Sequence, residues 1–265
     1  MKKRADIVLY EKGLVDSREK AKRIIMEGSV FIGSERVSKP GENIDEESDI
    51  YIKDNPIKYV SRGGHKLEKA INDFGLNLEN AIAMDIGSST GGFTDCMLKE
   101  KASKVYAVDV GYGQLDWALR QDSRVVVMER TNIRNITKDD IDDELDFISI
   151  DVSFISLKLV LPVAKSLMKD KAELVALIKP QFEAGKDKVG KNGIVREKET
   201  HIEVINSIVE FLSEIGLNPK NLSFSPITGA KGNIEFLVHA VNNGETIVEQ
   251  QMINNVVEYA HETLK

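Results

Sequence analysis

A single cysteine, Cys96, leaves no partner for an internal disulfide and fits a reducing compartment. The four histidines, His65, His201, His239 and His261, are scattered, and with one cysteine they offer no metal-ligand spacing, so no metal is expected. No apolar run approaches the roughly 20 residues that cross a bilayer, which argues against a membrane partner. The opening "MKKRADIVLYEKG" is basic but has no apolar stretch of the secretory kind, and a cytoplasmic location is expected. An excess of positive charge is also missing: the net charge is −7. Taken alone that speaks against a nucleic-acid partner, but binding depends on where the charge sits. Basic residues outnumber acidic ones before Pro40, and the balance reverses from Glu42 to Asp54.

What is present divides into two parts. In residues 1–58, "ADIVLYEKG" has helical periodicity and ends at Gly13. A second helix, "DSREKAKRIIMEG", has Asp16 or Ser17 as its N-cap and stops at Gly28. Ile24 and Ile25 face inward, while the basic side chains reach solvent. Short strand-like pieces follow: "SVFIG", "ERVSKPGENI" and "DIYI". Pro56 marks a linker, and residues 59–265 form the second part. There Leu67, Ala70, Ile71 and Phe74 give a helix over 65–74 that closes at Gly75. Strands and helices then alternate: "AIAMDIG", "KVYAVDVG", "RVVVMER", "LDFISID" and "ELVALIKP" as strands, with amphipathic segments between them. A long helix, "KETHIEVINSIVEFLSEIG", precedes two last strands, "KNLSFSPI" and "NIEFLVHAV". The pattern predicts an α/β fold, a Rossmann-like doubly wound sheet with an antiparallel pair at one edge, preceded by a small α+β domain.

The stretch "SREKAKRIIMEGSVFIGSERVSKPGENI" resembles the RNA-binding domain named after bacterial ribosomal small-subunit protein four. The resemblance implies RNA contact through Arg4, Arg18, Lys20, Lys22 and Arg23. The plain alternative is that these residues form a solvated helix face.

The segment "AMDIGSSTGGFTDCML", residues 83–98, runs from a strand through a glycine-rich turn into a helix. A phosphate-binding loop of the nucleotide-triphosphatase kind needs a closing lysine, which is absent. A dinucleotide fingerprint needs G-x-G-x-x-G, and G-S-S-T-G-G breaks that spacing. S-Adenosylmethionine carries a sulfonium, an amine and a carboxylate but no phosphate, so acidic residues beside the loop suit it. Asp85 can bind the ammonium directly or through water, Asp109 the ribose hydroxyls, and Asn132 the adenine edge. Gly87, Gly91 and Gly92 let backbone approach the methionyl portion.

Methyl transfer is an in-line displacement in which the protein supplies position and proton management. Lys66, Asp151, Lys179 and Glu235 are polar residues at places where packing explains them poorly, a strand-terminal lysine above all. Together with "DIGSSTGGFTD" this Lys–Asp–Lys–Glu set resembles the FtsJ-like ribose 2′-O-methyltransferases. With the N-terminal module, "YVSRGGHKLEKA", "ALIKPQFEAG", "GIVRE" and "SPITGAKGNIEFL" narrow the resemblance to the TlyA family. Ser88-Ser89-Thr90 depart from the alanines and proline common in FtsJ-like loops. The resemblance implies methylation of a ribose 2′-hydroxyl in ribosomal RNA or ribosomal subunits. It puts catalysis on Lys66, Asp151, Lys179 and Glu235. Cofactor contact falls to Asp85, Gly87, Ser88, Thr90, Gly91, Gly92, Phe93, Asp109, Asn132 and Asp151. In this scheme Lys179 is the base or aligner, Asp151 orients it, and Lys66 and Glu235 place the ribose. The polar loop "EAGKDKVGKNGIVRE" is either a mobile surface loop or a lid whose lysines meet RNA. Arg62 either contacts RNA or only opens a helix, and Phe93, Trp117, Phe154 and Phe182 are expected in the core or pocket wall. Competing functions are a non-catalytic ribosome-assembly protein, a membrane-lytic protein of the kind that gave relatives the name haemolysin, and a nicotinamide dehydrogenase.

Overall fold

The computed structural model describes residues 2–33, 35–52, 58–229 and 231–264, so the linker proline Pro56 lies outside the described residues. The chain divides into two compact units, Met1–Lys58 and Tyr59–Lys265.

In the first unit the elements are β1 (Lys2–Arg4), α1 (Ala5–Glu11), α2 (Arg18–Glu27), β2 (Val30–Ile32), β3 (Glu35–Arg36), β4 (Asn43–Asp45) and β5 (Ile50–Ile52). β1 pairs antiparallel with β4, and β2 is flanked by β3 and β5. Of the two candidate caps for α2, Ser17 serves: its hydroxyl accepts the Lys20 N–H at 3.2 Å. Gly28 ends the helix at φ +79°, in the left-handed region that glycine enters without cost. Leu9, Ile24, Ile25, Val30 and Ile50 are buried together as its core. Asp6 is buried as well, held by Arg4 at 2.9 Å and Arg18 at 3.1 Å.

The second unit begins with α3 (Gly63–Phe74) and continues through β6 (Ile82–Ile86), α4 (Gly92–Lys99), β7 (Lys104–Val108), α5 (Trp117–Gln121), β8 (Val125–Met128), β9 (Leu145–Ile150), α6 (Leu161–Leu167) and β10 (Met168–Ile178). It closes with α7 (Pro180–Glu183), α8 (Lys198–Glu214), β11 (Leu217–Phe224), β12 (Phe236–Asn242) and α9 (Gln250–Thr263). The seven strands run in the order β11-β12-β10-β9-β6-β7-β8. β6 to β10 are mutually parallel, and their buried small and branched residues match a sheet covered on both faces. The expected antiparallel pair lies at the edge, and its inner member, β12, is the strand that runs against all the others. α9 lies beyond the last element expected from sequence. Its buried residues Ile253, Val257 and Ala260 share one face at helical spacing, but glutamines and asparagines dilute the apolar signal.

Candidate active site

The carboxyl ends of β6, β7, β9 and β10 lie side by side, which is where open α/β sheets bind ligands. Asp151 is the first residue after β9, and its N–H donates to the Ile86 carbonyl at 2.9 Å. Lys179 is the first residue after β10. Because Pro180 follows, Lys179 is confined to extended backbone (φ −109°, ψ 99°), and the helix turn of α7 can begin only beyond it. Glu235 was expected within the last strand but immediately precedes β12, whose first residue Phe236 pairs with Ile178. The reversal of β12 is what delivers Glu235 here. A parallel strand would enter the sheet from its opposite end. Lys66 comes from α3.

The four side chains meet. Lys66 Nζ donates to Glu235 Oε2 at 2.6 Å and lies 3.8 Å from Asp151 Oδ2. Lys179 Nζ lies 2.5 Å from Asp151 Oδ1 and donates to Ser153 Oγ at 2.9 Å. Both amines are buried beside the carboxylates, so each has a partner for its charge. They line a cavity of about 660 Å³, within the range of small-molecule sites.

The glycine turn forms another wall. Gly87, Ser88, Thr90, Gly92, Phe93 and Asp85 line the cavity, while Gly91, Asp109 and Asn132 do not. Gly91 (φ +93°) caps α4 and backs onto Leu119 and Leu115, so it serves the turn. Asp109 follows β7 and ties down the turn, accepting the Ser89 N–H at 2.8 Å and the Gly111 N–H at 2.6 Å. Asn132 caps the short turn Ile133–Asn135 by accepting the Arg134 N–H.

Asp85 is 1% exposed, and Oδ2 accepts both the Thr94 N–H at 2.9 Å and the Thr94 hydroxyl at 2.7 Å. Burial pushes its carboxyl up to about 7 against the pull of the Thr94 hydroxyl, and the nearby Asp151 adds to the rise. Its folded pKa therefore stands above the ordinary value of 3.8. The stability it contributes is complete below that value and is lost as the pH rises through about 7. Asp85→Asn, which cannot ionise, is expected to gain stability relative to the parent between pH 4 and 7, as measured by denaturant titration. Parallel stability profiles for the two proteins would remove Asp85 from the pH dependence.

Several residues here carry no signal in the sequence. Ser153 carries no motif of its own. Gln181, Asn233 and Lys231 also line the cavity. Asn233 is buried; its amide donates to the Gly193 carbonyl at 2.9 Å and accepts the Val195 N–H at 3.0 Å. That ties the lysine-rich loop after α7 to the entry of β12, and Val189 and Gly193 of this loop line the cavity. The aromatic expectation needs correction for Trp117 alone. Phe93 (buried), Phe182 (half-buried) and Phe154 (90% exposed) all line the cavity, but Trp117 is 69% exposed and does not. Phe154 sits at φ +64° with its ring 5.0 Å from that of Phe182.

The basic residues expected to meet RNA are placed as follows. Arg4 and Arg18 share Asp6, Lys20 pairs with Asp16 and Lys22 with Glu19, and Arg23 is half-buried. Arg62, in the second unit, lines the cavity and donates to the Thr228 carbonyl at 3.3 Å.

Residues 59–242 match the FtsJ-like methyltransferase family, and residues 3–50 match the S4 domain. The chain is an FtsJ-like methyltransferase of the TlyA type. YqxC of Bacillus subtilis, provisionally named an rRNA methyltransferase, is 53% identical over 100% of this chain and 96% of its own length. TlyA of Mycobacterium tuberculosis, named a 16S/23S rRNA (cytidine-2′-O)-methyltransferase, is 38% identical over 89% of this chain and 88% of its own. A solved structure from Streptococcus thermophilus, provisionally titled a hemolysin, superposes with a TM-score of 0.80 at 48% identity, covering 99% of this chain and 96% of that one. No described helix of this FtsJ-like protein is long and apolar enough to cross a membrane.

Proposed function

We propose that this chain methylates a ribose 2′-hydroxyl of ribosomal RNA, with S-adenosylmethionine as donor, in the cytoplasm where ribosomes are assembled. The observation that carries the reading is the meeting of Lys66, Asp151, Lys179 and Glu235 in one cavity, bounded by a glycine turn that has no lysine for phosphate. The turn suits an adenosyl sulfonium. A Cβ on Gly87 would stand 2.4 Å from the Asp151 carbonyl oxygen, so backbone here already closes on backbone. Asp85 and Asp109, at two strand ends, would repel a pyrophosphate but favour an ammonium group and ribose hydroxyls. Gly87, Ser88, Thr90, Gly92 and Phe93 would flank the methionyl part. Gly91 would shape the turn from behind, and Asp109 and Asn132 would meet the ribose and the adenine from outside the present lining.

S-Adenosylmethionine supplies, when bound, a methyl group activated on a sulfonium, and the remaining tasks fall to the chain. Lys179 takes the 2′-hydroxyl proton or aligns the oxygen lone pair, while Asp151 orients its amine. Lys66, held by Glu235, places the ribose. In the first unit, Arg4, Arg18, Lys20, Lys22 and Arg23 would bind RNA phosphates, with Arg62 doing so beside the cavity. The names of the M. tuberculosis and B. subtilis relatives support ribosomal RNA as substrate.

Purified protein, S-adenosylmethionine and ribosomal RNA or subunits are expected to yield a new ribose methyl by mass mapping. Methylation confined to bases, or none at all, would overturn the proposal. The exposed ring of Phe154 also offers a stacking surface for an unpaired base. Phe154→Ala is accordingly expected to raise KM for RNA by about tenfold with donor affinity unchanged, since one base–aromatic stack contributes about 1–3 kcal/mol. An unaltered KM would leave Phe154 with no part in RNA binding.

A further inference from the structure

We propose that Ser153 is a positioning residue that fixes the direction of the Lys179 amine, an inference that rests on the methyl-transfer reading of the site. Lys179 Nζ donates one hydrogen bond on the protein, to Ser153 Oγ at 2.9 Å, and is ion-paired with Asp151 Oδ1 at 2.5 Å without a hydrogen bond to it. A lysine ammonium has three N–H donors, and its neutral amine has two donors and a lone pair. In either state the bond to Ser153 fixes one direction, while the ion pair only keeps the amine beside Asp151 in the cavity wall. With Asp151 alone the amine turns about its Cε–Nζ bond, and the lone pair has no set direction.

Ser153 is itself held in place. It belongs to the loop that leaves β9, and Glu183 fastens that loop by accepting the Ser156 hydroxyl at 2.7 Å and the Leu157 N–H at 2.8 Å. Phe182 packs its ring against Phe154 of the same loop. Glu183 and Phe182 lie on α7, which starts directly after Lys179. One short helix therefore fixes both the amine-bearing residue and the loop that aims it. As the 2′-oxygen forms its bond to the methyl carbon, the carbon–sulfur bond breaks and its electron pair stays on sulfur. The hydroxyl proton passes to the lone pair of Lys179 and on to solvent, a transfer that depends on the direction Ser153 sets.

Ser153 is exposed, so its variants keep the fold. Ser153→Ala is expected to lower kcat by about tenfold or more with KM for RNA nearly unchanged, and Ser153→Thr, which keeps the hydroxyl, to restore most of it. A second measurement needs no methyl transfer: amine-directed labelling of the donor-free protein, read by mass spectrometry at Lys179 and at Lys66. Removing the hydroxyl that accepts from Lys179 frees its amine to turn towards the reagent, so labelling of Lys179 is expected to rise about threefold in Ser153→Ala, to return in Ser153→Thr, and to stay constant at Lys66. Labelling of Lys179 that ignores Ser153→Ala overturns the inference whatever the RNA assay gives. A parent protein that methylates no ribose overturns the proposed function, and the labelling still judges Ser153.

Discussion

Lys179→Ala is expected to cut methyl transfer by about 10²–10⁴-fold, the usual contribution of a positioned proton acceptor, while donor binding stays nearly intact. The separation of the two effects follows from geometry. Lys179 stands at the end of β10 beside Asp151 and Ser153, whereas the glycine turn expected to grip the donor lies after β6. The truncation leaves Asp151 with Lys66 at 3.8 Å, so its charge stays partly compensated and the fold is expected to survive. Lys179→Arg sharpens the test. A guanidinium keeps the charge but does not give up a proton at working pH. If the arginine variant is as inactive as the alanine variant, proton acceptance is the function; substantial turnover by the alanine variant would sink the role of Lys179. Calorimetric titration with S-adenosylmethionine supplies the binding arm.

Gly87→Ala should be damaging in a different way, removing donor binding and lowering the melting midpoint by about 5 °C or more. Gly87 adopts φ +87°, where an alanine is strained, and its Cβ would lie 2.4 Å from the Asp151 carbonyl oxygen and 2.9 Å from that carbonyl carbon. Those are backbone atoms, so they cannot swing aside as the tip of a side chain could. Either the turn lifts or Asp151 shifts off Lys179, and both outcomes reach the chemistry. Gly185→Ala is the control, since Gly185 has φ +78° but a Cβ there meets nothing within 4 Å. It carries the conformational cost without the collision. Thermal melts and donor titrations on both variants check the contrast, and equal losses in the two would show that strain alone, not the contact with Asp151, explains Gly87.

The sheet was legible in the sequence because buried parallel strands read as short apolar runs, and "AIAMDIG", "KVYAVDVG" and "LDFISID" are of that kind. The helix of Lys66 was legible through Leu67, Ala70 and Ile71, which are buried. α9 was harder to read, since three buried positions among asparagines and glutamines make a weak stripe. The acidic strand ends and strand-terminal Lys179 could be picked out because charge beside an apolar run needs a reason. Ser153 could not, because a serine in a loop satisfies itself with water anywhere and only coordinates show the amine beside it. Trp117 illustrates the opposite failure. Aromatics are usually buried, and nothing local in the sequence distinguishes the exposed ones.

Asn233 joins two stretches that the sequence keeps far apart. It stands two residues ahead of Glu235, the carboxylate that neutralises Lys66, and it holds the loop whose Val189 and Gly193 line the cavity. One carboxamide therefore ties the cavity-lining loop to the strand entry that carries the partner of Lys66, so a displacement of either stretch strains the other.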